Sequence, residues 1–199
     1  VRGKDITCID LAFKVAPRIN AVGRMGGSNA AVDLFDSADP EFVRQIVSDM
    51  NRKNVLRQQE EKVILDEIEE LTQSRPDIFD QSVLVLGGEN WHPGVIGIVA
   101  SRIMERFHRP TIVLSLENGE AHGSGRSTSK FNLLQALQDC DCHLIKFGGH
   151  ALAAGLTLNS DDVERFRVAI NAHAARSLGP DELIPELNVD TFLDLNQIS

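Results

Sequence analysis

The chain of 199 residues has little of what membrane-spanning, secreted or disulfide-stapled proteins are built from. Its longest apolar runs, such as Val83–Leu86 and Thr111–Leu114, fall far short of the roughly 20 residues that a bilayer-crossing helix needs. No basic start followed by an apolar stretch opens it, so no signal peptide is expected. Three cysteines, Cys8, Cys140 and Cys142, cannot make a disulfide framework, and Cys140-Asp141-Cys142 has no further ligand-spaced partner. All three are expected as reduced thiols of a cytoplasmic protein. There is a single tryptophan, Trp91. Aspartates and histidines clustered at metal-ligand spacing are lacking, as are a nucleophile elbow, a CxxC pair, a Walker A loop and a dinucleotide fingerprint. Neither a complete active site nor a bound metal is expected in this chain.

What is present is an ordinary globular composition, 42% hydrophobic and 25% charged, sufficient for one domain with a core plus appendages. The formal net charge of −9 argues against broad adhesion to nucleic acid. Its distribution still allows a local cationic groove. Residues 40–80 hold 6 basic and 10 acidic side chains and residues 177–199 hold 5 acidic ones alone, whereas residues 1–27 carry 5 basic against 2 acidic.

Asp39-Pro40-Glu41 is a helix start, with Asp39 as cap and Pro40 at the first helical position. Phe42, Val43, Ile46, Val47 and Met50 then recur at spacings of three and four, and Ile64, Leu65, Ile68 and Leu71 continue the stripe to Ser74-Arg75-Pro76. A helix over about 40–73 would run roughly 50 Å at 1.5 Å per residue, with a polar middle bridging two bodies across solvent. After it, short strands and helices alternate. Strands are predicted at Ser82–Leu86, Thr111–Ser115, Ala121–Ser127 and Ala154–Leu158, with helices at Val95–Phe107, Asn132–Cys140 and Asp161–Ser177, the last capped by Ser160. That order implies an α/β domain with a mixed sheet. Ahead of the long helix, 5–15 and Asn29–Phe35 read as short helices flanking a Gly-rich stretch. Too few apolar positions stand there for a core of their own, so the chain reads as a portion of a larger protein.

Four stretches carry candidate chemistry. Gly148-Gly149-His150, followed by Ala153-Ala154-Gly155, lets backbone approach a ligand closely and offers N–H groups as an anion nest, with a histidine able to donate to phosphate or a leaving group. A tight turn with a packed histidine accounts for it equally well. His122-Gly123-Ser124-Gly125-Arg126-Ser127 joins hydroxyl donors to a guanidinium that can fork onto phosphate; a Gly-rich hairpin has the same composition. Glu89–Gly94 lies between a strand and a helix, where α/β proteins place ligand loops. There Trp91 is a base-stacking ring or a packing anchor, His92 stands beside it, and the N–H groups of Val95–Gly97 can receive an anion. Pro17–Met25 sets Arg18, Asn20 and Arg24 in a flexible loop that can touch phosphate or sugar, or simply be solvated.

Four motifs stand in order: Ala16-Pro17-Arg18-Ile19-Asn20-Ala21-Val22-Gly23-Arg24-Met25, then Trp91-His92-Pro93-Gly94-Val95-Ile96-Gly97-Ile98-Val99-Ala100-Ser101-Arg102, then Gly123-Ser124-Gly125-Arg126-Ser127, then Phe147-Gly148-Gly149-His150-Ala151-Leu152-Ala153-Ala154-Gly155. Together they closely resemble the RecJ exonucleases, 5′-to-3′ nucleases of single-stranded DNA in the DHH phosphoesterase superfamily. GGH alone is shared across that superfamily; the four motifs together are specific to RecJ.

The resemblance implies an architecture: the C-terminal remnant of a DHH domain at 1–38, a long connecting helix at 39–75, a mixed-sheet DHHA1 domain at 80–177, and a linker towards an oligonucleotide-binding fold at 178–199. It implies that Mn2+ or Mg2+ serves the whole protein from the DHH domain. The partner implied is single-stranded DNA with a 5′ end, held by a monomer that acts in repair and recombination, with repair or single-strand-binding proteins as further partners. Carried over by position, Ser124 and Arg126 resemble the pair holding a terminal or nearby phosphate, with Gly125 and Ser127 beside them. Arg24, with Arg18 and Asn20, resembles the contacts from the DHH side. Gly148, Gly149 and His150 resemble the scissile-phosphate side, where the histidine stabilises charge as the bond breaks. The DHH metal ligands are absent from the sequence, so hydrolysis by this chain alone is not expected. A relative acting on short RNA oligomers or cyclic dinucleotides, and a non-catalytic single-strand-binding scaffold, remain the alternative readings.

Overall fold

A computed structural model describes residues 5–27, 29–186, 189 and 191. The front end is helical: α1 (Cys8–Asp10), a π-helical turn at Leu11–Val15, α2 (Ala16–Arg24) and α3 (Asn29–Asp36). The stretch expected as a flexible loop at 17–25 is therefore mostly a helix. Pro17 sits in its first turn, where no N–H is needed, and Ala21 and Val22 are fully buried, Val22 against Ile46 and Met50. That packing outweighs the Pro and Gly signals in the sequence.

The long helix is α4 (Pro40–Ser74), 35 residues and about 52 Å, followed by the short α5 (Pro76–Phe79). Asp39 caps it, its carboxylate accepting from the N–H of Glu41 at 2.9 Å. One buried stripe serves two bodies. Ile46 and Met50 pack with Val22, while Ile64 and Ile68 pack with Trp91, Val95 and Val99. Each such full burial contributes about 1.5–3 kcal/mol. The expected solvent-bridging middle is corrected in part. Asn54 and Glu61 are buried there, and the Glu61 carboxylate lies 2.6 Å from Arg57 and 2.7 Å from Arg102 of the next long helix.

The rest is a five-stranded mixed sheet flanked by helices, as expected. In chain order it comprises β1 (Leu84–Glu89), α6 (Pro93–Phe107), β2 (Thr111–Glu117), β3 (Glu120–Arg126), α7 (Leu133–Asp139), β4 (Lys146–Gly149), β5 (Ala153–Asn159) and α8 (Val163–Ser177). The spatial order is β1-β2-β3-β5-β4, and only β1–β2 is parallel. Leu84, Leu86 and Val113 face α4 and α6, while Val83, Val85, Ile112 and Leu114 face α7 and α8, so β1 and β2 are buried on both faces and begin as unbroken apolar runs. Side chains of α8 cover the β1 edge. Asn171 bonds both the N–H and the carbonyl of Val83, and Arg167 donates to the carbonyl of Val85.

Three further differences from expectation stand out. β1 runs on through Gly87-Gly88 instead of stopping there. Gly148-Gly149 belongs to a strand, β4, that the sequence did not announce. Ser160 opens a 3₁₀ turn at Ser160–Asp162 rather than capping α8. Half of the residues in the linker reading of 178–199 lie outside the described residues, as do residues 1–4 and 28 of the front segment.

Candidate nucleic-acid interface

The centre of the site lies where α2 ends against the start of α6, above β3. His92 caps α6, its Nδ1 accepting from the Gly94 N–H at 3.0 Å, and its carbonyl takes the N–H groups of Val95 and Ile96. The α6 amides expected to receive an anion at 95 and 96 therefore already have partners. Gly94 is required by a close approach: a Cβ there would lie 2.1 Å from the carbonyl oxygen of Arg24. One turn on, a Cβ at Gly97 would lie 3.0 Å from Ser124 Oγ and 3.1 Å from the Arg126 guanidinium. These two glycines, three apart on one face of α6, let α2 and β3 close around the helix start. Neither was read from the sequence as a packing position, although a glycine inside a helical pattern is itself a signal of close packing.

This packing brings three of the expected residues together. Arg126 donates to Ser124 Oγ at 3.0 Å and to the Gly125 carbonyl at 2.7 Å. Arg24 reaches over from α2 to donate to the Gly94 carbonyl at 3.1 Å. Burial, and then the positive charge of Arg24, lower the pKa of Arg126 from its ordinary value. Neither guanidinium forms an ion pair with a carboxylate among the described residues. Two cations beside a hydroxyl, one of them partly stripped of water, form an uncompensated positive site. An anion that accepts from both would complete it.

Beyond Ser124 the sheet face is bare. Ser124 pairs with Gly155, and Gly155 pairs with Gly148 on the edge strand. A Cβ at Gly148 would meet nothing within 4 Å, and one at Gly155 only a carbonyl oxygen at 3.9 Å. Gly149 differs: its φ of +147° and the 2.4 Å from its Cβ position to the Ala153 carbonyl make glycine a requirement of the β4–β5 turn. That turn carries His150, exposed, with its N–H on the Ala153 carbonyl at 2.8 Å. Ala153 pairs with Arg126, so His150 stands at the Arg126 end of the sheet.

Five more expected residues stand apart from this group. Trp91 is 3% exposed, and its Nε1 donates to Glu67 at 2.6 Å. Its ring fills the place a Cβ of Gly88 would take, which makes it a packing anchor and not a stacking surface for bases. Gly125 is buried against Leu133 and Ile112, so it clears space for the core on the far face rather than for a ligand. Ser127 is buried and its hydroxyl donates to the Phe131 carbonyl at 2.8 Å. Arg18 is tied to Asn51 of α4 at 2.6 Å and to the Lys14 carbonyl, apart from the Arg24–Arg126 pair. Asn20 is exposed on α2 with no hydrogen bond of its side chain among the described residues.

Residues 80–176 match the DHHA1 domain family, and the sheet carrying this site is that domain. The likeness continues into α2 and α4. The chain belongs to the RecJ family, and is 38% identical over 191 residues to the single-stranded-DNA-specific exonuclease RecJ of Bacillus subtilis, covering 95% of this chain and 24% of that protein. It is 40% identical over 167 residues to RecJ of Dickeya dadantii, covering 79% of this chain and 29% of that protein. The crystal structure of RecJ from Thermus thermophilus in complex with Mg2+ superposes with a TM-score of 0.76 at 33% identity, covering 87% of this chain and 27% of that one. The chain thus spans about a quarter of the length of these relatives. Among the described residues no three His, Cys, Asp or Glu side chains come together to hold a metal ion, so they do not fit the Mg2+ of the Thermus structure, and no metal-dependent step is assigned to them. No described helix is long and apolar enough to cross a membrane.

Proposed function

We propose that this chain is the strand-holding portion of a 5′-to-3′ exonuclease of single-stranded DNA, in which metal-dependent phosphodiester hydrolysis is served by ligands outside it. In this reading residues 1–38 complete a DHH domain, 39–75 connect it, 80–177 are the DHHA1 domain and 178–199 lead towards an oligonucleotide-binding fold. Arg24, Ser124 and Arg126 hold a backbone or 5′-terminal phosphate. His150, at the same end of the sheet, faces the phosphate to be cleaved and stabilises its developing charge.

The observation that supports this most directly is the pair of guanidinium groups without a carboxylate, opening onto a sheet face floored by Gly155 and Gly148. A phosphate answers the charge, and bare backbone admits a strand lying flat. The test is a fluorescence-anisotropy titration of the chain with short single strands bearing a 5′ phosphate or a 5′ hydroxyl. Salt-sensitive binding that favours the phosphate is expected, and it weakens in Arg24→Ala. Equal affinity for both ends would show that no terminal phosphate is held here.

A further inference from the structure

We propose that Lys146 holds a second backbone phosphate, further along the strand from the one gripped by Arg24, Ser124 and Arg126, so that the strand crosses the sheet over Gly155 and Gly148. This rests on the reading of that face as strand-binding and adds the direction of the path and the residue that fixes it.

The placement follows from register. Ser124, Gly155 and Gly148 form one row across β3, β5 and β4, and His122, Thr157 and Lys146 form the row two residues along. Directly opposed residues share a face, and faces alternate along a strand, so both rows lie on one face. That face is the one turned to α6, because Ser124 Oγ is what a Cβ on Gly97 would meet. From Ser124 to Lys146 is two strand spacings across and two residues along, roughly 12 Å. Such a span is filled by about three stacked nucleotides at 3.4 Å each, or fewer in an extended strand. The ground between is a cavity of about 400 Å³ lined by Gly123, Lys146, Phe147, Gly148, Gly155, Leu156 and Thr157.

Charge points the same way. The other four described lysines, Lys14, Lys53, Lys62 and Lys130, each face a carboxylate within 4.0 Å. Lys146 is exposed and makes neither an ion pair nor a side-chain hydrogen bond among the described residues. A flexible ammonium suits a phosphate whose exact position shifts from strand to strand. Recognition here goes through the backbone and not the bases, since Trp91 is buried and Phe147 packs on the opposite core.

The experiment titrates the chain and its variants with 5′-phosphorylated thymidine dimers and octamers at several salt concentrations. Lys146→Ala is expected to weaken octamer binding about threefold to tenfold and to reduce the slope of log affinity against log salt by about 0.7, the share of one phosphate on a single strand. Dimer binding is unchanged, and Lys146→Arg restores the octamer. Arg126→Ala weakens both lengths. An octamer affinity and slope unaltered by Lys146→Ala overturn the inference while leaving the first phosphate site intact. Failure of the unsubstituted chain to bind either length overturns the reading of the face itself, and the inference with it.

Discussion

Two guanidinium groups held near each other repel, and in Arg24 and Arg126 that repulsion is not relieved by any ion-paired acid among the described residues. Removing one of them is therefore expected to relieve that repulsion in the free protein and to weaken its hold on a phosphate. Arg126→Ala is expected to lose about 1.5–3 kcal/mol of affinity for a phosphorylated strand, as charge-assisted hydrogen bonds in a partly buried site do, with thermal stability unchanged or slightly raised. Anisotropy and a melting curve on the same samples check both halves. Cys140 supplies a second expectation. Burial pushes its thiol up to about 11 from an ordinary 9.0, whereas Cys8 and Cys142 are exposed. At pH 8 a thiol reagent should label two cysteines quickly and the third only on unfolding. The folded state holds the Cys140 proton more tightly than the unfolded chain, so its contribution to stability is intact below pH 9 and lost as pH rises towards 11. At this scale the sequence was legible where strand alternation alone brings two groups together, as with Ser124 and Arg126 on one face of β3. It left Trp91 open between packing and stacking and did not foresee the roles of Gly125 and Ser127, which depend on which face of the strand each occupies, and local composition does not carry that.

Elements were legible in proportion to how locally they are determined. α4 starts at Asp39-Pro40 as expected because a cap and a proline act within one turn. β4 escaped notice because Lys146–Gly149 has one apolar residue and two glycines, and only its pairing with β5 makes it a strand. α2 was hidden by Pro17 and Gly23, and its cause is tertiary: Val22 buried against α4. The middle of α4 was misjudged for a related reason, since Glu61 looks like a solvated residue until Arg102 arrives from α6. That carboxylate ties two helices, and its loss would leave Arg57, mostly buried, without its partner. Glu61→Ala is expected to cost about 2–3 kcal/mol in urea unfolding, below the usual figure for a wholly buried pair because Arg102 can turn into water. Glu61→Gln should recover part of that loss. No recovery would mean that charge, and not hydrogen bonding, is what the α4–α6 junction needs.

At the scale of the whole molecule, a net charge of −9 is compatible with the proposed strand-binding face because much of the α4 acidity is answered locally. Glu61 and Glu69 face Arg102 and Arg106 of α6, and Glu67 accepts from Trp91. Attraction to a strand is then confined to a few contacts, and the slope of log affinity against log salt should be about −1.4, the value for two phosphates on a single strand. A much steeper slope would reveal a broader basic surface than the described residues provide. The bare floor of the groove has a consequence for how this sequence tolerates change. Alanine at Gly148 or Gly155 meets no clash, and by narrowing the unfolded ensemble it should add about 0.4–1 kcal/mol of stability. The same methyl would stand where the strand must lie. A library sorted for folded, abundant protein should therefore enrich substitutions that a library sorted for strand binding discards, and the positions at which the two maps disagree would trace the groove without any ligand having been seen in it.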